Sequence, residues 1–201
     1  AYLYQKKEWN PKWENAFAPA LCNRIDRNTG GIVIAAKNAE TLRIINEKIK
    51  DHELDKSYLC ITVGHPKKPE GKIEGFLFKD EVKKQVFFHH KPVPGAKTAV
   101  TLYKTLEKRG ELALVECRLL TGRTHQIRVQ CASRGFPLVG DGKYGNREKA
   151  PFAALWASRV AFKHPFTKKP PGSCQRAGKL LALRPNPIPF PVGHFSSPDL
   201  F

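Results

Sequence analysis

Asn23-Arg24-Ile25-Asp26-Arg27-Asn28-Thr29-Gly30-Gly31, running into Ile32-Val33-Ile34-Ala35-Ala36-Lys37, sets a single carboxylate on a loop ahead of an apolar run. Arginines on both sides favour the anionic form of Asp26, which makes it available as a nucleophile or base. Glycine accepts backbone conformations closed to other residues and lets neighbouring chain approach closely. Thr29-Gly30-Gly31 therefore predicts a sharp turn from the Asp26 loop into a buried strand over residues 32–36. Taken alone, the stretch is more readily read as a solvated Arg-Asp-Arg turn before a strand.

A second stretch gives the first its meaning. It reads Leu119-Leu120-Thr121-Gly122-Arg123-Thr124-His125-Gln126-Ile127-Arg128-Val129 and continues through Arg134-Gly135-Phe136-Pro137-Leu138-Val139-Gly140-Asp141 to Tyr144-Gly145. R-I-D-R-N-T-G-G together with T-G-R-T-H-Q-I-R and G-F-P-L-V-G-D-x-x-Y-G resembles the paired signatures of the RluA-type pseudouridine synthases. These enzymes isomerise uridine to pseudouridine in structured RNA. Lys56-Ser57-Tyr58 opens a strand where that family places its active-site tyrosine. The resemblance runs from about Pro19 to about Thr167 and implies an α+β fold with a mixed, largely antiparallel sheet and flanking helices.

By this resemblance Asp26 matches the catalytic aspartate, which either adds to the sugar or removes a sugar proton. Arg128 matches its arginine partner. Tyr58 corresponds to the residue that stacks on the base and helps remove its C5 proton. Ile127 belongs to the apolar surround of the flipped base, and Arg24 matches a position that reaches into the vacated stack. Arg27, Arg123, Lys143 and Arg147 are candidate phosphate contacts, and Thr124, His125 and Gln126 complete the candidate RNA-binding set. The resemblance implies no cofactor and no metal, and ribosomal or transfer RNA as the partner of a monomer.

The 201 residues suit one domain, and 35 Lys plus Arg against 18 Asp plus Glu leave a formal charge of +17. Such an excess points to a polyanionic partner rather than an acidic small molecule. Five cysteines, Cys22, Cys60, Cys117, Cys131 and Cys174, stand singly without a CxxC pair, so neither a zinc knuckle nor a disulfide framework is indicated. A reducing cytoplasm is the expected compartment. No apolar run approaches the roughly 18 residues that span a bilayer, and no membrane partner is expected.

Asn38 is a suitable N-cap for a helix in which Ala39, Leu42, Ile45 and Ile49 recur at helical spacing. Residues 58–63 alternate, with Tyr58, Cys60 and Thr62 on one face. Residues 72–79 and 84–89 pair as a hairpin, and 98–106 and 112–119 extend an antiparallel meander. Thr124 predicts the cap of a helix running to Arg134, which Gly135 and Pro137 terminate. Residues 151–162 are ambiguous, and the resemblance implies a strand towards their end. The catalytic domain is expected over 1–167. From Lys168 onward the chain is Pro-rich, and 168–201 is expected to be extended and weakly ordered.

Only 25 residues precede Asp26. None resembles the strand and Lys-Pro-Gly-like loop that RluA-type enzymes usually carry there, so the domain is expected to lack part of its N-terminal side.

Two other chemistries fit less well. A phosphotransferase acting through Asp26 would want further carboxylates in a D-x-D or D-K-T-G-T arrangement. A metal enzyme built on His89-His90 or His125 lacks ligand spacing, since adjacent strand residues point to opposite faces. The alternative that the basic composition allows is an RNA-binding module without catalysis, against which intact Asp26, Tyr58 and Arg128 argue.

Overall fold

The computed structural model describes residues 2–7, 9–12, 17–27, 29–145 and 152–163. The Pro-rich tail 168–201 and Arg147 lie outside the described residues. In chain order the elements are α1 (Tyr2–Gln5), β1 (Ala20–Leu21), β2 (Gly30–Gly31), β3 (Ala35–Ala36), α2 (Ala39–Lys50), β4 (Asp55–Val63), β5 (Glu70–Asp80), β6 (Gln85–His89), β7 (Lys97–Arg109), β8 (Leu112–Leu119), α3 (Gln126–Ser133) and β9 (Leu155–Ala161). Seven strands form one sheet in the order β2-β9-β4-β8-β7-β5-β6, and β1 pairs with β3 separately. Only β2 and β9 run parallel; the other neighbours in the large sheet are antiparallel. The fold is α+β, with a mixed and largely antiparallel sheet.

Period-two patterning places the core. Cys60 and Thr62 of β4, Ala113, Val115 and Cys117 of β8, and Ile73 of β5 are buried on one side of the sheet. There they meet Ile127 and Cys131 of α3 together with Phe136 and Leu138. On another part of the molecule Ile45 of α2 packs with Ile34 and Leu54, backed by Val160. Asn38 caps α2 as its sequence predicts, its side chain accepting the Thr41 N–H at 2.8 Å.

Residues 32–36 do not form the continuous strand that their composition predicts. Gly30–Gly31 pairs with β9, and Ala35–Ala36 pairs with Ala20–Leu21. Between them Ile34 donates its N–H to the Asn23 side chain (2.7 Å) and accepts the Cys22 N–H (2.8 Å). The Ile34 backbone is thus satisfied by residues 22 and 23, just ahead of the Asp26 loop, while the Ile32 N–H donates to Ala157 O of β9 at 2.9 Å. The apolar run thus closes a clasp around the loop.

Gly31, at φ +109°, is the tightest point of that clasp, because a Cβ there would lie 2.3 Å from the Ala157 carbonyl oxygen. Gly31→Ala should therefore destabilise the chain by about 1–3 kcal/mol or more, through overpacking and backbone strain together. A urea unfolding midpoint equal to the parent's would contradict this.

The other departures concern β7 and α3. On β7 the sequence alternates Val100, Leu102 and Leu106 with Thr101, Tyr103 and Thr105, which predicts the apolar set inside; instead Thr101 is fully buried, whereas Leu106 is exposed beside a bulge between Thr105 and Glu107. A buried amide chain explains why the hydroxyl faces inward. Gln126 accepts from the Thr121 hydroxyl (2.9 Å) and the Arg123 N–H (3.0 Å), and donates to Val100 O (3.1 Å) and Thr101 Oγ1 (2.9 Å). Thr101 in turn donates to Gln130 (2.6 Å), whose amide nitrogen donates to Ile73 O and Ala99 O. Every polar function of Gln126 is used, so the network stitches α3 and its approach loop to the sheet.

Thr124 does not cap α3. It is exposed, and the N-cap position is held by His125, in the left-handed region at φ 53° with no side-chain cap bond. The other end behaves as its sequence predicts. Gly135 takes φ +82°, the Gly135 and Phe136 N–H groups bond back to Ala132 O and Cys131 O (both 3.1 Å), and Phe136 is buried.

Candidate active site

The Asp26 loop, β4 and α3 meet around an open pocket of about 660 Å³. Asp26 comes from the clasped loop, Tyr58 from β4, and Arg128 from the first turn of α3. All three line the pocket, as do Arg24, Arg27, Arg123, Thr124, His125, Gln126 and Ile127. Residues more than a hundred positions apart are thus brought to one site.

Arg128 is the hinge of its electrostatics. Its Nε donates to Asp141 Oδ2 and its Nη2 to Asp141 Oδ1, both at 2.7 Å, while Nη1 reaches Asp26 Oδ2 at 3.3 Å. Asp141 is 1% exposed, so the bidentate pair is the buried anchor and the Asp26 contact extends from it. Burial works against the guanidinium charge, but Asp141 and then Asp26 more than offset it, and the Arg128 pKa lies above its usual range. The pairing of Asp26 with Arg128 is legible in the sequence. The larger partner, Asp141, lies in the second motif but gave no signal of its role until the turn through 137–141 brought it back to α3.

Tyr58 packs against the main core and its hydroxyl pKa is raised, by burial first and by the Asp26 charge second. It stands at an irregularity in the β4–β9 pairing, where Ser57 opposes Arg159 and Tyr58 opposes Ala157. Ser158, the extra residue, donates its hydroxyl to Ser57 O at 3.2 Å. Bulges of this kind re-aim side chains beside functional sites. Ile127 is buried and supplies an apolar patch of wall together with Leu155.

The rim is cationic. Arg24 and Arg27 are exposed on the loop, and Lys56, Lys79 and Lys84 join them around the pocket. Burial lowers the Lys56 pKa. Arg123 donates to Thr98 O at 3.0 Å, and the Lys143 ammonium is turned to the Lys84 carbonyl. Nothing in the sequence marks the lysines that line the pocket, because isolated cations on a chain of this charge carry no positional information.

Cys60, Cys117 and Cys131 stand singly in the sequence, yet their sulfur atoms lie within 4.8 Å of one another. They come from β4, β8 and α3 and are packed among Ile73, Val115 and Leu138. Thiols buried in such surroundings act as small apolar side chains.

No helix among the described residues is long and apolar enough to cross a membrane. Residues 2–133 match the family model described as RNA pseudouridylate synthase. The chain is 34% identical over 161 residues to a protein of Zymomonas mobilis named ribosomal large subunit pseudouridine synthase D, covering 75% of this chain and 50% of that one. A Borreliella burgdorferi protein of the same name is 36% identical over 132 residues, covering 66% of this chain and 40% of its own length. The chain therefore spans about half the length, or less, of these curated relatives. The solved structure of human RNA pseudouridylate synthase domain containing 1 superposes with a TM-score of 0.69 at 23% identity, over 75% of this chain and 66% of that one, and has the same fold. The chain belongs to the RluA-type RNA pseudouridylate synthase family.

Proposed function

We propose that the chain isomerises uridine to pseudouridine in ribosomal or transfer RNA, as a monomer in the cytoplasm. The observation that carries this reading is a carboxylate, Asp26, held at a largely buried arginine beside a tyrosine in an open pocket with a cationic rim. In the reaction the N1–C1′ bond of uridine breaks, the base turns, and a C5–C1′ bond forms. The C5 hydrogen leaves to solvent while N1 takes a proton, so the change is an isomerisation. Asp26 adds to the sugar or removes a sugar proton, and either role needs an anion with its desolvation offset, which Arg128 supplies. Tyr58 stacks on the base and assists loss of the C5 proton.

A uridine stacked in folded RNA cannot reach a carboxylate set in a pocket wall, so it is extruded. Arg24 enters the space it leaves. Arg27 and Arg123 hold the backbone phosphates, Thr124 and His125 line the entrance, and Ile127 gives the base an apolar wall. Gln126 acts from behind, by fixing the loop that carries Arg123. The free thiols of Cys22, Cys60, Cys117 and Cys131 suit a reducing compartment.

Two measurements on one RNA transcribed with 5-tritiated uridine test this. Tritium release should accompany pseudouridine formation. Log affinity should also fall linearly with log salt, with a slope of about −0.7 to −0.9 for each phosphate neutralised. A steep salt slope without release from any RNA tried would leave a binding module in place of an enzyme. A flat salt response would contradict RNA binding itself.

A further inference from the structure

His125 occupies the N-cap of α3 but caps nothing. Its backbone is left-handed, at φ 53° and ψ 22°, a conformation that residues other than glycine adopt mainly when their surroundings demand it. The demand comes from the side chain. Nδ1 lies 2.5 Å from the Tyr144 hydroxyl, and Nε2 lies 3.8 Å from Asp26 Oδ2. The tyrosine ring stands edge-on to the imidazole, and the Arg128 guanidinium lies 5.2 Å from its centroid.

The hydrogen-bond roles follow from counting donors. The Tyr144 oxygen already accepts the Val86 N–H at 3.2 Å, so its own proton is free to point at Nδ1. Burial raises the Tyr144 pKa, which keeps that proton in place. An imidazole that accepts at Nδ1 carries its proton on Nε2, towards Asp26. Around the ring stand Asp26, Arg128, Lys143 and Asp141. Burial lowers the His125 pKa, Asp26 and Asp141 raise it, and Arg128 and Lys143 lower it, for a net shift below the ordinary value. His125 is therefore neutral at about pH 7.

We infer that Tyr144 is a positioning residue for the reaction proposed above: it holds His125 as the Nε2–H tautomer, so that a neutral donor, 3.8 Å from Asp26 Oδ2 and outside hydrogen-bond reach in the free chain, faces the carboxylate beside Arg128 and closes on it when Oδ1 meets the ribose. Among the described residues no hydrogen bond engages Oδ1. Arg128 alone fixes the carboxylate loosely, because its two short bonds go to Asp141. An imidazolium would fix it too firmly, pairing with the anion that has to react. The inference rests on the functional reading but has a readout independent of it.

The first arm is the ¹⁵N–¹H correlation spectrum of the histidine rings, with His125 assigned by its loss in His125→Gln. The parent should show neutral His125 protonated at Nε2, and Tyr144→Phe should show mixed tautomers. Protonation at Nδ1 in the parent would overturn the inference, whether or not the chain is active.

The second arm is tritium release. Tyr144→Phe should lower the maximal rate roughly 10- to 100-fold, as loss of a supporting partner does, with unchanged affinity for RNA. Its acid limb should move to higher pH, since the bond that favoured neutral imidazole is gone. The third arm ranks two replacements. Gln places its amide near Nε2 and Asn near Nδ1, whereas the left-handed backbone suits Asn better. Positioning predicts that His125→Gln keeps more activity than His125→Asn, and a purely structural role predicts the reverse. Equal rates for parent and Tyr144→Phe would overturn the inference, whereas no release by the parent would count against the functional reading alone.

Discussion

Asp26→Asn should abolish pseudouridine formation while leaving RNA binding intact. Asparagine has the shape of aspartate and can still meet Arg128 through its amide oxygen, so the loop and the pocket should keep their form. What disappears is the anion. Removing one member of a group that acts as a unit costs about 10³-fold or more, and tritium release should fall at least that far. RNA affinity should stay the same or tighten slightly, because a negative charge has been taken from a surface that receives phosphates. A release rate within about tenfold of the parent, a difference of only about 1.4 kcal/mol in barrier, would remove Asp26 from the mechanism.

Arg128→Ala should produce the largest loss of stability. Among the described residues Asp141, 1% exposed, would keep only the Lys143 N–H at 3.2 Å. A buried charge stripped of its partner costs about 3–5 kcal/mol. For a chain of this size that is a fall in Tm of roughly 10 °C. Activity should fall as well, since Asp26 loses its cation. The double variant Arg128→Met with Asp141→Leu separates these two effects. Apolar side chains of similar size often replace a buried ion pair at little cost, so most of the stability should return. The activity should not. A Tm for Arg128→Ala within about 2 °C of the parent's would show that the pair is not the buried anchor described here.

What could be read from the chain alone was mostly local. The N-cap at Asn38, the alternation in β4, the hairpin of β5 and β6 and the glycine stop at Gly135 each depend on residues close in sequence. The motifs around Asp26, Tyr58 and Arg128 likewise sufficed to bring forward the residues that meet in the pocket. The departures lie where a distant partner decides the outcome. The run 32–36 is broken at Ile34, whose hydrogen bonds go to the Asn23 side chain and the Cys22 N–H. Thr101 turns inward because Gln126 and Gln130 await it, which no alternation of apolar residues reveals. His125, and not Thr124, stands at the cap position, with its ring held by Tyr144.

The role of Asp141 and the gathering of Cys60, Cys117 and Cys131 share this origin. In both cases the residues were visible and their neighbours were not. Asp141 becomes the main partner of Arg128 only through the turn that follows Phe136, and the three thiols meet only when β4, β8 and α3 pack.

The central claim is that this chain's gene makes pseudouridine through Asp26. Pseudouridine positions should be mapped by sequencing in cellular RNA from cells with the gene, without it, and without it but carrying the parent or the Asp26→Asn gene. At least one uridine in ribosomal or transfer RNA should lose its modification on deletion, regain it with the parent gene and stay unmodified with Asp26→Asn. An identical map in all four would contradict the account.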